Sequence, residues 1–437
     1  MDVLVVDLTH GGITLAKELK KYFDNVFVWD IYNTVPKEKK KFLSKYFKFV
    51  DTVPKRKNIK IIAPVHCPLN ITPDFTHHEA VNFILQDWKN KRDIPIIEVT
   101  GVKGKTSVVW MLKEILSHKN PLILSSIGIF LKDKVLKKDV SITPANIIKA
   151  IKLGKDKFGV CIFEVSLGGT GLADVGVLTN IVEDYLIAGG KRKASEAKKQ
   201  IFRSKITCCD YKTLKKFYKE YIGEANTFSI NYHDDVNVWT SSIKYDFEKT
   251  SFKVNVDGLK TLKGEFCGNI RIETFAPTSH YLLNVLAAIS AALSLGVKTK
   301  YIKKGLYNFR GLKGRSSIKR KNSCRIIEEI NPGINTKTIE NSLEIAKNLK
   351  NSVVIIGGQY GVTCEELNEE RVAKIIDNNR DVNVALVDEV GKSLLKKIKR
   401  KVEYADNPNK LLKSFIERGF KNIVFVYRSK YSDLSKR

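Results

Sequence analysis

The segment that most constrains the fold of this chain is a glycine-rich stretch, residues 100–107, with the sequence TGVKGKTS. The apolar run at residues 94–99 predicts a buried strand directly before it, and residues 108–116 predict a helix directly after it. In such a strand–turn–helix unit, the backbone N–H groups of the turn and the positive end of the helix both attract an anion. The stretch therefore predicts a phosphate-binding loop in an α/β fold, and we call residues 100–107 the P-loop.

The P-loop has the side chains that nucleotide binding requires, although its spacing departs from the full pattern. Lys105 can reach the β- and γ-phosphates of ATP, and the Thr106 hydroxyl can bind Mg²⁺. Val99 stands where the full G-x-x-x-x-G-K-[ST] pattern has its first glycine. The residues that we expect to contact ATP are Gly101, Val102, Lys103, Gly104, Lys105, Thr106 and Ser107.

Two further polar positions follow predicted strands. Glu164 comes after the apolar run at residues 160–163, and Thr179-Asn180 comes after the run at residues 175–178. Ligands collect at the carboxyl ends of strands in open α/β sheets. Because Mg²⁺ prefers oxygen ligands, a carboxylate at that edge predicts Glu164 as a magnesium ligand near the P-loop. The alternative is an ordinary solvated glutamate at the end of a strand.

Apolar runs alternate with amphipathic stretches along the whole chain, which predicts parallel sheets. A length of 437 residues is more than one compact core usually holds. We predict three α/β domains, which are residues 1–90, residues 91–310 with the P-loop, and residues 311–437. The first domain has no G-x-G-x-x-G pattern, so nothing in it predicts a dinucleotide site.

The chain is strongly basic, because 76 Lys and Arg residues against 47 Asp and Glu residues give a net charge of +29. That excess favours polyanionic partners, namely nucleic acid, phosphates or a substrate with several carboxylates. The alternative is that the dispersed lysines reflect genomic composition or a hot habitat. Seven irregularly spaced cysteines, and no apolar run near the roughly 20 residues that span a bilayer, predict a cytoplasmic protein with no membrane partner.

Taken in order, these positions resemble the Mur ligase superfamily, which includes muramyl peptide ligases and folylpolyglutamate synthase. The resemblance is carried by residues 101–106, Glu164, residues 179–181, Ala197-Lys198 and Asn284. It implies a three-domain α/β architecture with a central P-loop ATPase sheet and a Rossmann-like C-terminal domain. It also implies an ATP-dependent ligase that activates a carboxylate as an acyl phosphate, which a nucleophile then attacks.

The resemblance implies roles for single residues. Lys105 and Thr106 would hold the phosphates and one Mg²⁺, and Glu164 would bind Mg²⁺ as well. Asn284 matches the asparagine that contacts adenine. Arg315 matches the arginine that contacts the nucleotide from the hinge into the third domain.

Lys198 matches a lysine that is carbamylated in many members of the superfamily. A carbamate turns the cationic side chain into an anion that can bind a second Mg²⁺ between phosphates. The alternative is a solvated helix lysine, with Lys199 directly beside it. The catalytic residues that the resemblance implies are Lys105, Glu164 and Lys198.

Two departures from the superfamily pattern concern the second metal and the incoming nucleophile. Tyr185 follows Asp184 where the superfamily usually has a histidine, which removes a group expected near the second metal. Residues 328–335, with the sequence EEINPGIN, lack the histidine of the usual Asp-x-Ala-His-Asn-Pro segment. The second departure indicates that the usual apparatus around an incoming amino acid is altered.

These departures fit a narrower resemblance, to the coenzyme F430 synthetase family of methanogenic archaea. It is carried by residues 7–12, 76–81, 100–110, 142–145 and 167–175. The resemblance implies that ATP activates a propionate of a nickel hydrocorphin, seco-F430 acid, and that a ring carbon of the same molecule attacks. The products would be ADP, phosphate and the closed ring of the nickel tetrapyrrole used in methanogenesis. Such a polycarboxylate substrate would also give the positive charge a partner.

Two groups of residues are candidates for contact with that substrate. Four of the seven histidines lie in the first predicted domain: His10, His66, His77 and His78. They could face the macrocycle or its nickel, or donate hydrogen bonds to its carboxylates, although histidines at loop ends are often structural. Lys191 and Arg192 lie in a basic turn and could pair with substrate carboxylates, or form a solvated loop.

Two other functions stay open from the sequence. A peptide ligase of archaeal pseudomurein synthesis would depend on a free amino acid and a nucleotide-linked peptide. A basic P-loop ATPase that binds nucleic acid is the other. Against the latter, the sequence has no clustered aromatic and basic stripe, no recognition-helix pattern and no zinc pattern.

Overall fold

The computed structural model describes residues 1–55, 58–246, 248–312, 315–331, 333–361 and 367–429. For residues 315 and 316 it describes the backbone strand and not the side chains. The chain divides into two compact units, Met1–Phe309 and Arg310–Arg437. Both consist of sheets with helices, so the predicted α/β class is confirmed. The predicted domain boundary between residues 90 and 91 lies inside the first unit and stays a prediction.

The elements of the first unit follow the predicted alternation of strands and helices. Its strands are β1 (Asp2–Val6), β2 (Asn25–Trp29), β3 (Lys48–Phe49), β4 (Ile59–Ala63), β5 (Phe75–Thr76), β6 (Ile96–Thr100), β7 (Leu122–Ser125), β8 (Gly128–Leu131), β9 (Lys134–Lys137), β10 (Cys161–Glu164), β11 (Val175–Leu178), β12 (Leu186–Ile187), β13 (Arg192–Lys193), β14 (Ile206–Asp210), β15 (Asn226–Phe228), β16 (Val238–Lys244), β17 (Thr250–Thr261) and β18 (Gly264–Thr274). Its helices are α1 (Ile13–Leu19), α2 (Lys37–Leu43), α3 (His77–Asn90), α4 (Lys105–Ile115), α5 (Ala145–Gly154), α6 (Ala194–Lys198), α7 (Tyr211–Phe217), α8 (Ser279–Ser294) and α9 (Thr299–Asn308).

The first sheet of this unit is parallel and has the strand order β3-β2-β1-β4-β5. The chain leaves β1 to build one side of the sheet and returns to β4 on its other side. The strand order therefore reverses between β1 and β4, which is where open α/β sheets form a ligand crevice. Helix α3 begins after β5 with a capping box, in which Thr76 Oγ1 accepts from Glu79 N at 3.1 Å and Glu79 Oε2 accepts from Thr76 N at 2.8 Å.

The second sheet has the order β18-β17-β16-β15-β14-β11-β6-β10-β7-β8-β9, with β6 pairing in parallel with β10 and β11. The strands predicted at residues 160–163 and 175–178 are these neighbours of β6, within one residue. The antiparallel strands β16 to β18 at one edge were not predicted, although alternate residues of Thr250–Val256 are buried. Because α1, α3 and α5 pack together, one apolar core is continuous between the two sheets.

The second unit has one sheet in which the first pair of strands is antiparallel and all other pairs are parallel. Its strands are β19 (Arg315–Lys321), β20 (Cys324–Ile330), β21 (Ser352–Gly358), β22 (Asn383–Val387), β23 (Glu403–Ala405) and β24 (Asn422–Arg428), in the order β19-β20-β24-β21-β22-β23. Its helices are α10 (Thr336–Lys347), α11 (Glu369–Asn378), α12 (Asp388–Leu395) and α13 (Pro408–Glu417). Across the described part of both units, no helix has the length and apolar character to cross a bilayer.

Candidate active site

The P-loop connects β6 to α4 through two glycines in conformations that other residues rarely adopt. Gly101 has φ +138° and Gly104 has φ +85°. A Cβ atom at Gly101 would lie 2.0 Å from Thr179 Oγ1, and one at Gly104 would lie 2.0 Å from Asn284 Oδ1. Only glycine fits this turn, and α4 therefore starts at Lys105, three residues earlier than its apolar pattern predicted.

Thr179 and Asn180, at the carboxyl end of β11, brace the P-loop. The Asn180 side chain accepts from Lys103 N at 3.1 Å through Oδ1, and Val102 N donates to the Asn180 carbonyl at 2.9 Å. Thr179 Oγ1 donates to the Lys103 carbonyl at 2.6 Å. These bonds fix the backbone of the turn, so its shape does not depend on a bound phosphate.

Lys105 lies over the loop that it is predicted to serve. Its Nζ donates to the Gly101 carbonyl at 3.0 Å and to the Val102 carbonyl at 3.3 Å. The ammonium group is therefore held at the mouth of the P-loop, where it can exchange these carbonyls for phosphate oxygens.

The structure brings Thr106 and Glu164 together, as the sequence predicted. Thr106 Oγ1 donates to Glu164 Oε1 at 3.0 Å, and Ser126 N donates to Glu164 Oε2 at 2.9 Å. Ser126 Oγ is also 3.1 Å from Thr106 Oγ1. Glu164 is only 2% exposed, so it is not the solvated glutamate of the alternative interpretation. A buried carboxylate beside two hydroxyl groups is an oxygen-rich set that fits Mg²⁺, and its role as a ligand stays a prediction.

Ser126 was not among the predicted site residues. It follows β7, which pairs with β10, so Ser126 and Glu164 both lie at the carboxyl ends of adjacent strands. The sequence could have indicated Ser126, because it follows an apolar run just as Glu164 does.

Lys198 is buried rather than solvated, with 1% of its surface exposed. Burial lowers the pKa of its amine well below the usual value, and the nearby charge of Lys105 lowers it further, while Asp184 opposes the shift. Asp184 itself accepts from Ser195 N and Ser195 Oγ, both at 2.8 Å, at the start of α6. The structure thus presents a buried amine whose pKa is lowered in part by the charge of the P-loop lysine.

Asn284 and Arg315 were both predicted to contact the nucleotide, Asn284 at its base and Arg315 from the hinge. The structure describes the side chain of Asn284 only. Asn284 is buried on α8 and contacts Gly104 of the P-loop. Arg315 begins β19 in the second unit, and its side chain lies outside the described residues, as do Gly314 and Pro332.

His77 and His78 lie in the interior, at the start of α3. His77 Nε2 is 3.0 Å from the Val6 carbonyl, and His78 Nε2 is 2.8 Å from the Ser166 carbonyl. Burial lowers the pKa of each to about 4, so both are neutral at physiological pH. This placement ties α3 to β1 and to the end of β10, and gives neither ring an exposed face.

His10 and His66 instead meet at the edge of the first sheet, around Asp7. His10 Nδ1 is 2.6 Å from Asp7 Oδ2, and the two imidazoles contact each other edge to face. Burial opposes ionisation of Asp7, but the hydrogen bonds of the two histidines outweigh it and hold the pKa of Asp7 well below its usual range. The hydrogen bond to Asp7 in turn raises the pKa of His10. Asp7 was not among the predicted site residues.

The basic turn lies beside the chain that follows His66. Lys191 Nζ donates to Asn70 Oδ1 at 2.8 Å, and Arg192 is exposed at the start of β13. The turn and the two partly exposed histidines, His10 and His66, therefore belong to neighbouring parts of the first unit.

Two family models match the chain. Residues 99–292 match the Mur ligase middle domain, which covers the P-loop, Glu164, Lys198 and Asn284. Residues 318–430 match the C-terminal domain of coenzyme F430 synthetase CfbE.

Comparison with known proteins extends this similarity to nearly the full chain. The coenzyme F(430) synthetase of Methanocaldococcus jannaschii is 30% identical over 421 residues, which cover 90% of this chain and 92% of that protein. The coenzyme F(430) synthetase of Methanosarcina acetivorans is 30% identical over 400 residues, which cover 83% of this chain and 84% of that protein.

Among solved structures, the MurF ligase of Thermotoga maritima in complex with ADP matches with a TM-score of 0.62. It is 13% identical, and the match covers 95% of this chain and 94% of that chain. At this identity the likeness concerns the fold alone, and it confirms the expected three-domain Mur ligase architecture. The fold, the geometry around the P-loop and the identity to two full-length relatives agree, and the chain belongs to the coenzyme F430 synthetase family, within the Mur ligases.

Proposed function

We propose that the protein is an ATP-dependent ligase that makes coenzyme F430 by closing the last carbocyclic ring of seco-F430 acid. The observation that carries this proposal is the match to full-length coenzyme F(430) synthetases, together with a P-loop whose Thr106 hydroxyl contacts a buried Glu164. The reaction consumes ATP, which the cytoplasm supplies, so we also expect the protein there.

The first step transfers a phosphoryl group to the substrate. A propionate oxygen attacks the γ-phosphorus, the bond to the bridging oxygen breaks, and ADP leaves. Lys105 and the N–H groups of the P-loop neutralise the charge that moves onto ADP. Mg²⁺ fits beside Thr106 and Glu164, because hydroxyl and carboxylate oxygens are its preferred ligands, and when bound it supplies further charge neutralisation.

The second step forms a carbon–carbon bond. A ring carbon of the same molecule loses a proton and attacks the acyl carbon, and the bond to the phosphate oxygen breaks. The products are a cyclic ketone and inorganic phosphate. Because both reacting carbons belong to one molecule, no second substrate has to be positioned, and the site has to hold the activated side chain against the ring carbon.

Lys198 fits a role in the first step as a carbamate. Its buried amine has a pKa well below the usual value, and only the neutral amine reacts with CO₂. The resulting anion would sit close to Lys105 and bind a second Mg²⁺. Burial of Lys198 supports this role, because an uncompensated lysine cation in the interior is costly.

We further propose three domains, with substrate binding by residues 1–90, ATP binding by residues 91–310 and a Rossmann-like ligase domain at residues 311–437. The basic turn with Lys191 and Arg192 is exposed and can pair with substrate carboxylates. A nickel tetrapyrrole with several carboxylates also suits the net charge of +29.

The test is a comparison of substrates with the purified full chain and ATP. Uncyclised nickel hydrocorphin acid should stimulate release of phosphate and yield a product lighter by one water. Phosphate release driven instead by an amino acid and a nucleotide-linked peptide would replace this function with pseudomurein synthesis. Stimulation by DNA or RNA alone would move the protein to the nucleic-acid class.

A further inference from the structure

Three potential metal ligands converge at the carboxyl-terminal edge of the first sheet, whereas the P-loop follows β6 of the second sheet. Asp7 Oδ2 lies 2.6 Å from His10 Nδ1 and 3.4 Å from His66 Nε2, and the two ring nitrogens are 3.4 Å apart. Within the described part of the chain, no other three His, Cys, Asp or Glu side chains come together in this way.

The spacing of these three atoms fits a metal ion. Metal–ligand distances of about 2.0–2.2 Å place neighbouring ligands of a tetrahedral or octahedral ion roughly 3.0–3.4 Å apart. The two separations that involve His66 fall in that range, and the separation of Asp7 from His10 has to lengthen by only about half an ångström to reach it. Two imidazoles and one carboxylate on one side of an ion are a common set for first-row transition metals.

The backbone around Asp7 holds the carboxylate in position for the two rings. Asp7 Oδ1 accepts from Thr9 N at 2.9 Å and from His10 N at 3.2 Å, which leaves Oδ2 for the histidines. Asp7 has φ +68°, a strained conformation that is more frequent at functional sites than elsewhere. The Asp7 side chain is fully buried, while those of His10 and His66 are 44% and 26% exposed. The cluster is therefore anchored in the protein and open on its histidine side.

The position of the cluster in the sheet also favours a ligand. Asp7 directly follows β1 and His66 follows β4, the two adjacent strands between which the strand order reverses. The crevice at this reversal is the usual ligand site of an open α/β sheet. His10 comes from the turn that leads from β1 into α1.

We propose that Asp7, His10 and His66 bind one divalent first-row transition-metal ion. Two sources of metal have to be distinguished, namely a free ion and the nickel of the substrate. A metal within a macrocycle already has four ring nitrogens in a plane, so a protein can reach only its two opposite axial positions. These three donors occupy three neighbouring positions, and the site therefore takes a free ion.

The bound ion has a direct use for the substrate. Its remaining positions face the exposed side, where a carboxylate oxygen of the macrocycle can replace water. The exposed basic turn lies near this side, because Lys191 contacts Asn70 just after His66. This docking role rests on the proposed function, whereas metal binding itself does not.

The test is a titration of the untagged full chain with Co²⁺, without ATP or substrate, followed by the visible absorption of the bound ion. One equivalent should bind, and His66→Ala should weaken its binding by at least about 100-fold. His118→Ala is the matched control, because His118 lies just beyond the C-terminal end of α4 and stacks on Tyr301. The Co²⁺ affinity of this variant should equal that of the wild type. No saturable binding, or unchanged binding in His66→Ala, would overturn the proposal.

Two further measurements keep the test decisive. Asp7→Asn and His10→Ala, checked for folding by circular dichroism, should each also weaken Co²⁺ binding, while Glu164→Gln should not. The nickel macrocycle is then added without Co²⁺, and a change in its spectrum that His66→Ala removes would assign the ligands to the macrocycle and reject the free ion. Failure of the macrocycle to stimulate phosphate release would reject the proposed function and leave the Co²⁺ result standing.

Discussion

Thr106 Oγ1 donates a 3.0 Å hydrogen bond to Glu164 Oε1, across the gap between the first turn of α4 and the end of β10. The two residues are 58 positions apart in the chain and become neighbours because β6 and β10 are adjacent parallel strands. Whatever binds the phosphates on the P-loop is therefore next to a buried carboxylate. That contact places the proposed Mg²⁺ ligand Glu164 beside the proposed phosphate site.

Glu164→Gln should lower kcat/KM by roughly 100-fold or more, since it removes a charged ligand from the site while preserving its shape. The concentration of Mg²⁺ that gives half-maximal activity should rise sharply. Steady-state phosphate release at a series of Mg²⁺ concentrations measures both. Glu220→Gln, at an exposed carboxylate paired with Lys199, is the control and should behave as wild type. An unchanged Mg²⁺ titration in Glu164→Gln would reject the ligand role.

Lys105→Ala should reduce turnover by roughly 100- to 1,000-fold, because phosphate charge is no longer neutralised at the mouth of the P-loop. The fold should survive, since Thr179 and Asn180 brace the loop through its backbone. Phosphate release and thermal unfolding of the same preparation check both statements. A folded Lys105→Ala protein with near-wild-type turnover would contradict the assignment.

Lys198→Ala should abolish most activity, and a small carboxylate such as acetate should restore part of it by replacing the carbamate anion. Lys199→Ala changes the exposed neighbour and should keep its activity. A carbamate signal from ¹³C-labelled bicarbonate should be present in the wild type and in Lys199→Ala, and missing in Lys198→Ala. Equal signals in all three proteins would mean that Lys198 is not the modified residue.

Stability should fall as pH rises through neutrality because of Glu98, in the middle of β6. Burial raises its pKa to about 7, although two hydrogen bonds from Thr170 oppose the shift. The folded state binds a proton that the unfolded state releases near pH 4.5, so the stabilisation is complete below that pH and is lost by about pH 7. The loss amounts to about 3 kcal/mol for a shift of this size.

Glu98→Gln tests this linkage, because the amide stays neutral at every pH. Relative to wild type, the thermal midpoint of Glu98→Gln should rise as the pH is raised from 5 to about 8. Glu220→Gln, which changes an exposed carboxylate, should follow the wild type. A constant difference between Glu98→Gln and wild type across this range would show that Glu98 is ionised throughout.

The parts of the fold that depend on local pattern could be predicted from the sequence. The apolar run at residues 94–99 contains most of β6, and the run at residues 175–178 is β11. The start of α4 was misplaced, because it is set by the conformation of Gly104 rather than by an apolar period. The antiparallel strands β16 to β18 were missed, since their stability comes from pairing with each other at the edge of the second sheet.

The candidate site also contains residues that the sequence predicted and residues that it did not. Lys105, Thr106 and Glu164 follow from a local motif and a strand end, and the structure brings Thr106 and Glu164 into contact. Ser126 and Asp7 were not identified: Ser126 had the same signal as Glu164, a polar residue after an apolar run, and Asp7 meets His66 only because β1 pairs with β4. The four histidines of the first domain look alike in sequence, and only burial separates the enclosed pair from the exposed pair.

In the proposed mechanism the substrate carboxylate becomes an acyl phosphate, and transfer of an oxygen isotope detects that intermediate. The full chain is given ATP and seco-F430 acid labelled with ¹⁸O in the reacting propionate. One ¹⁸O atom should appear in each inorganic phosphate released, and the other should stay in the ketone of the product. Unlabelled phosphate, formed together with the cyclised product, would contradict the account.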